Sequence, residues 1–501
     1  MSIIRVRFAP SPTGPIHLGG IRTALYNYLL AKKYNGKFIL RIEDTDQNRY
    51  LHNAVSYILK SLKWCGIEPN EGFGYGGGPY EPYIQSKRSY IYKFYINYLL
   101  KNKYAYYAFD TNKDLEIKRN EYKKLGLNFS YDHRIRMSLN NSLTMTKENL
   151  IKKLKCNIPY VIRFKVIPGL VLKVNDMIRG DIKFNTNYLD DKVLLKSNGM
   201  ATYHLANTID DYTMKITHVL RGEEWISSMF IHILIYKSFG WAPPNFAHLP
   251  LILNKNGKGK ISKRNLNYFK FPLFPIEWKE PSTNKKIYGY KELGYFPDAF
   301  INMLAMLGWN PGNNREIFSL EELVNFFSIK KINKSGVFFD KKKAIWFNKQ
   351  YIIKNKNKIF LFLAKELKNR SILFDNNFLW KVIDLTIDRI NFIYEIWDHT
   401  YYFFIEPDNY DKSFISKIKD KNYVIKNINI LLNKLNFNSF NELKCIFSEL
   451  ENKKFFMKLI RFSIVGSLKG IELFKILEMI GKKQSIKRIK KFIKKIESQV
   501  Y

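Results

Sequence analysis

IIRVRFAPSPTGPIHLGG, residues 3–20, decides the reading of this chain. Its first six residues, IIRVRF, carry the β-branched and aromatic content of a strand, and PSPTGPIHLGG, with three prolines and three glycines, reads as a loop. Helical apolar spacing follows over Arg22 to Tyr34, and FILRI at 38–42 reads as a second strand. A strand, loop, helix, strand unit of this kind builds a parallel sheet, whose ligands sit beyond the carboxyl ends of the strands. HLGG, His17 to Gly20, stands between the first strand and the helix, where free backbone amides and the helix dipole favour anions. Gly19 and Gly20 would let a nucleotide come close to the backbone. His17 would donate to a phosphate oxygen as negative charge develops on it.

Working outward, a second helical stretch covers Leu51 to Cys65, and the glycine-rich run from Gly72 to Pro79 reads as a surface loop rather than a phosphate cradle. Residues 81–190 mix helices with strand-like pieces such as Tyr160 to Val166 and look like an insertion, after which the sheet resumes near Met200. A strand at THVLRG, a helix from Ser227 to Gly240 and the apolar LPLIL lead into KNGKGKISKR, residues 255–264. Lys260 and Lys263, with Ser262 between them and Arg264 beyond, can gather ammonium groups around a triphosphate. At about 4 Å and an effective dielectric near 20, each such charge pair is worth on the order of 4 kcal/mol before desolvation. From 331 onward helical periods dominate.

Composition narrows the class without deciding it. The 501 residues, 46% hydrophobic, supply two to four domains with cores. Apolar runs fall well short of the roughly 20 residues of a membrane-spanning helix, and the first residues lack the pattern of a secretory signal, so a cytoplasmic location is expected. Cys65, Cys156 and Cys445 are odd in number and far apart, which suits neither a disulfide framework nor a four-cysteine zinc site. The net charge of +39 admits a nucleic acid partner. Residues 351–501, with 29 basic and 16 acidic side chains, are no richer in charge than the rest, so no single patch stands out. Lys482 to Lys495, eight basic residues without an acidic one, suits either an RNA-facing helix or a solvated face.

HLGG and KISKR, in this order and on an α/β sheet, resemble the paired signatures of the class I aminoacyl-tRNA synthetases. Flanking stretches narrow the resemblance to the bacterial glutamyl-tRNA synthetases: RFAPSPTG at 7–14, RIEDTD at 41–46, ATYHLANTIDD at 201–211, LRGEEW at 220–225 and AMLGWNPG at 305–312. It covers about the first 350 residues; RFSIVGSLKGIELFKILEMIGKK at 461–483 carries a looser likeness to the helical anticodon-binding region. The resemblance implies a Rossmann-type catalytic domain split between 1–80 and 191–245, an acceptor-binding insertion at 81–190, a signature loop and stem-contact domain at 246–330, and an α-helical anticodon-binding region at 331–501. It further implies a monomer that activates glutamate with ATP and Mg2+ and charges tRNA(Glu), with tRNA(Gln) a second candidate, in a reaction whose activation step needs bound tRNA.

Glutamate offers one ammonium and two carboxylates, and the matched motifs hold an inventory to meet them. By resemblance Arg7, Tyr203 and Asn207 hold the side-chain carboxylate, Ser11 and Glu43 the ammonium, and Arg221 the reacting carboxylate; Ala9 lies along the substrate backbone and Glu224 near the adenosine. Glutamine, with its neutral amide, would leave Arg7 incompletely paired, a mismatch able to give discrimination of about 10⁴ to 10⁵. Some relatives begin a zinc site with cysteines in a stretch like YAYYAFDT, 104–111. Here Ala108 and Asp110 stand at those places, so no zinc is expected. Three rivals share part of the pattern. A glutaminyl-tRNA synthetase would end in β-barrels, a tRNA-modifying relative would lack the carboxyl-terminal region, and a non-catalytic RNA-binding paralogue could have lost His17 or Lys263.

Overall fold

The computed structural model describes residues 3–254, 271–408, 410, 421–434 and 453–498. The KISKR residues Lys260, Ser262, Lys263 and Arg264, and Cys445, lie outside that set. Two compact units divide the chain, Met1–Phe347 and Asn348–Tyr501.

The first unit opens as the quoted stretch leads one to expect. Strand β1 (Arg5–Phe8) pairs in parallel with β2 (Lys37–Leu40), and β2 with the two-residue β3 (Glu71–Gly72). Between β1 and β2 runs helix α1 (Leu18–Lys33). It starts four residues before the periodicity suggests, because His17 caps it: the ring Nδ1 accepts from the Gly19 N–H at 3.1 Å. Gly19 and Gly20 therefore belong to the first helical turn rather than to the loop. A Cβ on Gly20 would stand 2.7 Å from the Ile16 side chain, and one on Gly19 would stand 3.0 Å from the His17 ring. Both glycines thus answer to crowding around the cap. Helix α2 (His52–Cys65) follows, ended by Gly66 in the left-handed conformation.

Residues 89–195 supply α3 (Ser89–Lys101), β4 (Ala105–Ala108), α4 (Asn112–Lys124), α5 (Lys147–Lys155), β5 (Val161–Phe164), β6 (Val171–Asp176), β7 (Gly180–Asn185) and β8 (Val193–Leu195). The order β4-β5-β8 forms one antiparallel sheet. Ala108 is buried there with Tyr106, Leu115 and Tyr131, while Asp110 accepts from the Tyr131 hydroxyl and from the Asn140 N–H, both at 2.9 Å. The two positions of interest for zinc are thus taken up by packing and hydrogen bonds. The β6–β7 hairpin does something else, since it joins a second sheet in the order β7-β6-β10-β9. Its partners are β9 (His218–Gly222) and β10 (Asn245–Leu249), parallel to each other and reached through α6 (Tyr203–Thr213) and α7 (Ile226–Ser238). Thr217 donates its N–H to Arg5 O at 2.9 Å, which sets β9 beside β1. The carboxyl ends of β1, β2, β9 and β10 consequently open into one place.

Past β10 come β11 (Ile252–Leu253), the β12–β13 pair (Trp278–Lys279, Lys286–Ile287), α8 (Pro297–Met306), α9 (Leu320–Phe326) and β14 (Val337–Phe338). The AMLGW stretch at the end of α8 anchors α1. Tyr26 donates its hydroxyl to Ala305 O and Leu307 O at 3.0 Å each, and Arg22 reaches Leu307 O at 2.9 Å. Helix α10 (Lys341–Lys354) follows β14.

The second unit is helical in its described residues, with α11 (Lys356–Asn369), α12 (Asn376–Thr386), α13 (Ile396–Phe404), α14 (Lys421–Lys434), α15 (Lys453–Val465) and α16 (Leu473–Glu497). Leu459, Phe462, Ile476, Phe492 and Ile496 are among its buried core. Helix α16 breaks at Gly481, whose φ of 79° only glycine adopts readily. The basic run beyond it does not form a uniform face. Arg488 is buried and donates to Tyr402 O and Ile464 O, whereas Lys487 and Lys491 pair with Glu406 and Asp408.

Candidate active site

A cleft of about 260 Å³ lies over the carboxyl ends of the four parallel strands. Arg7, Ala9 and Ser11 enter it from the end of β1, and His17, Gly19 and Gly20 from the start of α1. Glu43 follows β2, Tyr203 and Asn207 lie on α6, and Arg221 and Glu224 extend from β9. All the sequence-derived site residues inside the described set are thereby brought together. Asn207 follows Tyr203 by four positions, so both lie on one face of α6. Residues that line the cleft without having been singled out include Arg22, Thr23 and Trp225. Trp225 lies with its ring centroid 4.4 Å from that of Tyr203, and it is legible in hindsight as the last residue of LRGEEW.

Beneath the cleft floor three arginines meet three carboxylates. Arg7 is bidentate on Asp211, with Nε at 2.9 Å and Nη2 at 3.2 Å. Arg41 reaches Asp211 at 2.8 Å and Glu43 at 2.9 Å, and Arg88 reaches Asp210 at 2.7 Å. All six side chains are buried. Burial alone would raise the Asp211 carboxyl, but Arg7 and Arg41 outweigh it and hold it below the usual carboxylate range. For Glu43 burial wins and lifts it above that range, despite Arg41, Arg7 and the Asn207 amide at 2.9 Å. Both hydrogen bonds to Glu43 recorded among the described residues fall on Oε1. Its Oε2 is then the atom suited to an incoming ammonium. Asp210 and Asp211 were in view as part of ATYHLANTIDD; nothing in that string says that they neutralise Arg7 on β1, Arg41 just past β2 and Arg88 just before α3.

Arg221 is held differently. Its Nε donates to His248 Nε2 at 3.1 Å, Nη1 to the Tyr203 hydroxyl at 3.0 Å, and Nη2 to Trp225 O at 3.3 Å; His232 Nδ1 lies 3.4 Å from Nη1. It is buried, and no carboxylate pairs with it among the described residues. Burial, then Arg221 itself, keeps His232 far below the ordinary histidine pKa, and burial first and Lys192 second push His204 down to about 4. The imidazoles around this arginine are neutral. The floor's positive and negative groups cancel, and Arg221 remains as positive charge facing the cleft.

At the other end of the cleft Arg22 donates to Pro250 O and Leu307 O, and burial lowers its pKa. His17, by accepting at Nδ1, carries its proton on Nε2 as a neutral ring, the tautomer that can donate to a phosphate oxygen.

Comparison with known proteins agrees with this geometry. Residues 3–346 match the family model described as tRNA synthetases class I (E and Q), catalytic domain, and residues 360–493 match an anticodon binding domain. The chain is 48% identical over 499 residues to a glutamate–tRNA ligase of Flavobacterium psychrophilum, covering 98% of this chain and 99% of that one. To the corresponding ligase of Christiangramia forsetii it is 46% identical with the same coverage. Among solved structures, a glutamate tRNA ligase from Elizabethkingia meningosepticum in complex with its amino acid matches with a TM-score of 0.90 at 43% identity, over 99% of this chain and all of that chain.

Proposed function

We propose, for a chain that belongs to the class I glutamate–tRNA ligases, that the cleft over β1, β2, β9 and β10 binds glutamate between Glu43 and Arg221 and receives ATP at the start of α1. The observation that carries this reading is the charge arrangement at the glutamate end: three arginines met by three carboxylates on the floor, and Arg221 on the wall held by neutral groups. Glu43 and Ser11 take the ammonium, Arg7 with Tyr203 and Asn207 the side-chain carboxylate, and Arg221 the reacting carboxylate, while Ala9 lines the substrate backbone. Arg7 keeps only Nη1 and part of Nη2 for substrate, because Asp211 occupies the rest. Its charge is largely met before glutamate arrives, so exclusion of glutamine rests on hydrogen-bond geometry more than on an unpaired guanidinium.

The carboxylate oxygen attacks the α-phosphorus of ATP and pyrophosphate leaves. The terminal ribose hydroxyl of tRNA then attacks the mixed anhydride, releasing AMP. Positioning and charge stabilisation supply the acceleration. His17, Gly19, Gly20 and Glu224 belong to the nucleotide end, and Lys260, Ser262, Lys263 and Arg264 supply the hydroxyl and positive charges for the phosphates. Mg2+ bound with the triphosphate would offset part of the phosphate charge. Residues 81–190 would receive the acceptor end and 331–501 the anticodon of tRNA(Glu), in a cytoplasmic monomer. No helix among the described residues is long and apolar enough to cross a membrane. Steady-state kinetics of Arg7→Ala test the pocket: the variant should lose glutamate use at least tenfold more than ATP use, and an equal loss for both would overturn the assignment.

A further inference from the structure

Arginine is protonated at any working pH, so the Arg221 Nε–H must be the donor in its 3.1 Å contact with His248 Nε2. His248 Nε2 is therefore a bare lone pair, and the ring proton sits on Nδ1. That proton points at Asp176 Oδ2, 2.7 Å away. Asp176 ends β6, the hairpin strand that joins the catalytic sheet through the pairing of Asp176 with Phe246 on β10. Its carboxylate also accepts the backbone N–H of Ile178 at 3.0 Å, Arg179 at 2.9 Å and His248 at 3.1 Å. Asp176 and His248 are both buried.

We infer that Asp176 and His248 are positioning residues for the amino acid's reacting carboxylate: Asp176 sets the His248 tautomer, and His248 orients the Arg221 guanidinium without cancelling its charge. A carboxylate placed where His248 stands would aim the arginine equally well and would neutralise it. An imidazole fixed in this tautomer supplies the acceptor alone. The relay crosses from residue 176 to the β9–β10 edge of the sheet, so the segment between the two halves of the catalytic domain takes part in amino acid recognition. Buried imidazole in this setting also favours the neutral ring, with desolvation foremost and the Arg221 charge adding to it, whereas hydrogen bonds from the His248 ring and the Arg179 and Ile178 amides hold Asp176 ionised against its own burial.

The inference rests on the proposed role of Arg221, and the test separates the two. Full-length His248→Ala, His248→Gln, Asp176→Asn and Arg221→Ala are compared in tRNA-charging kinetics, with KM for glutamate and for ATP measured separately and folding checked by circular dichroism. His248→Ala is expected to raise the glutamate KM about tenfold, the scale of one hydrogen bond to a charged group, and to leave the ATP KM within about twofold. Glutamine can accept with Oε1 and donate with Nε2, so His248→Gln should recover most of that loss. In Asp176→Asn the amide oxygen stays with the Ile178 and Arg179 N–H groups, its NH₂ faces the ring, and the reversed tautomer sets N–H against N–H at Arg221. That variant should match His248→Ala in glutamate KM; if it does not fold, the two His248 variants decide. A glutamate KM unchanged in His248→Ala, or a parallel rise in both KM values, or no recovery in His248→Gln, overturns the inference. An Arg221→Ala enzyme with unaltered glutamate KM overturns instead the role given to Arg221.

Discussion

Two sides of one cleft hold buried arginine by opposite means. On the floor, Arg7, Arg41 and Arg88 are matched by Asp210, Asp211 and Glu43, charge against charge. On the wall, Arg221 is surrounded by His248, His232 and the Tyr203 hydroxyl, groups that orient it and leave its charge intact. A paired guanidinium spends most of its field within the protein and offers a ligand chiefly its remaining N–H groups. One held by neutral groups keeps that field for an anion. The difference shows how buried arginines around one cleft can be given different parts, some held by carboxylates and Arg221 by neutral groups.

The comparison breaks most sharply under substitutions that remove one partner from each side. Asp211→Asn would leave Arg7 and Arg41 short of a buried carboxylate, at a cost of about 3–5 kcal/mol, read as a lowered unfolding midpoint in calorimetry. Arg221→Met deletes a charge instead of stranding one. Its cost should be nearer 1–3 kcal/mol, from the unmatched His248 acceptor, while glutamate use falls steeply. Equal destabilisation by the two changes would mean that the sides do not differ in kind.

In the proposed mechanism the lysines of the KISKR stretch offer charge in a third way, on long side chains suited to a triphosphate. Lys263→Ala should lower tRNA-dependent ATP–pyrophosphate exchange at least tenfold, about 1.4 kcal/mol of barrier, with little change in the unfolding midpoint. Unchanged exchange would remove Lys263 from the mechanism.

Acid separates the two sides more gently. An unfolded histidine takes up its proton near pH 6.5, and folded His204 only near about 4, so between these values the unfolded chain binds more protons. Stability from the histidine side is complete above about pH 6.5 and falls as pH drops toward 4. Asp211 is held below its ordinary value, so its contribution is lost only at still lower pH. Denaturation midpoints measured from pH 7 to pH 4 should decline, and His204→Asn should flatten that decline.

Much of the site was legible because its residues stand at positions that local chemistry marks. Proline and glycine punctuation around His17 exposes a helix start, and Arg7, Glu43 and Arg221 are ionisable residues at strand ends within quoted motifs. The start of α1 was read four residues late, since side-chain periodicity cannot register a turn containing two glycines; the cap from His17 decides it. Arg22 was hidden for the converse reason. It looks like an ordinary helix residue until Leu307 O and Pro250 O, far along the chain, are folded against it.

By itself, then, the sequence determined the parallel sheet, because period and turn chemistry act over a few positions, and its motifs carried the family and, by resemblance, the residues proposed to meet glutamate. Only the tertiary structure decided which arginine keeps its charge. That depends on whether a carboxylate or an imidazole arrives from an element 27 to 204 residues away, as His248 does from β10 for Arg221 and Asp211 from α6 for Arg7. Electrostatic neutralisation is settled by distance in space, and separation along the chain carries no information about it.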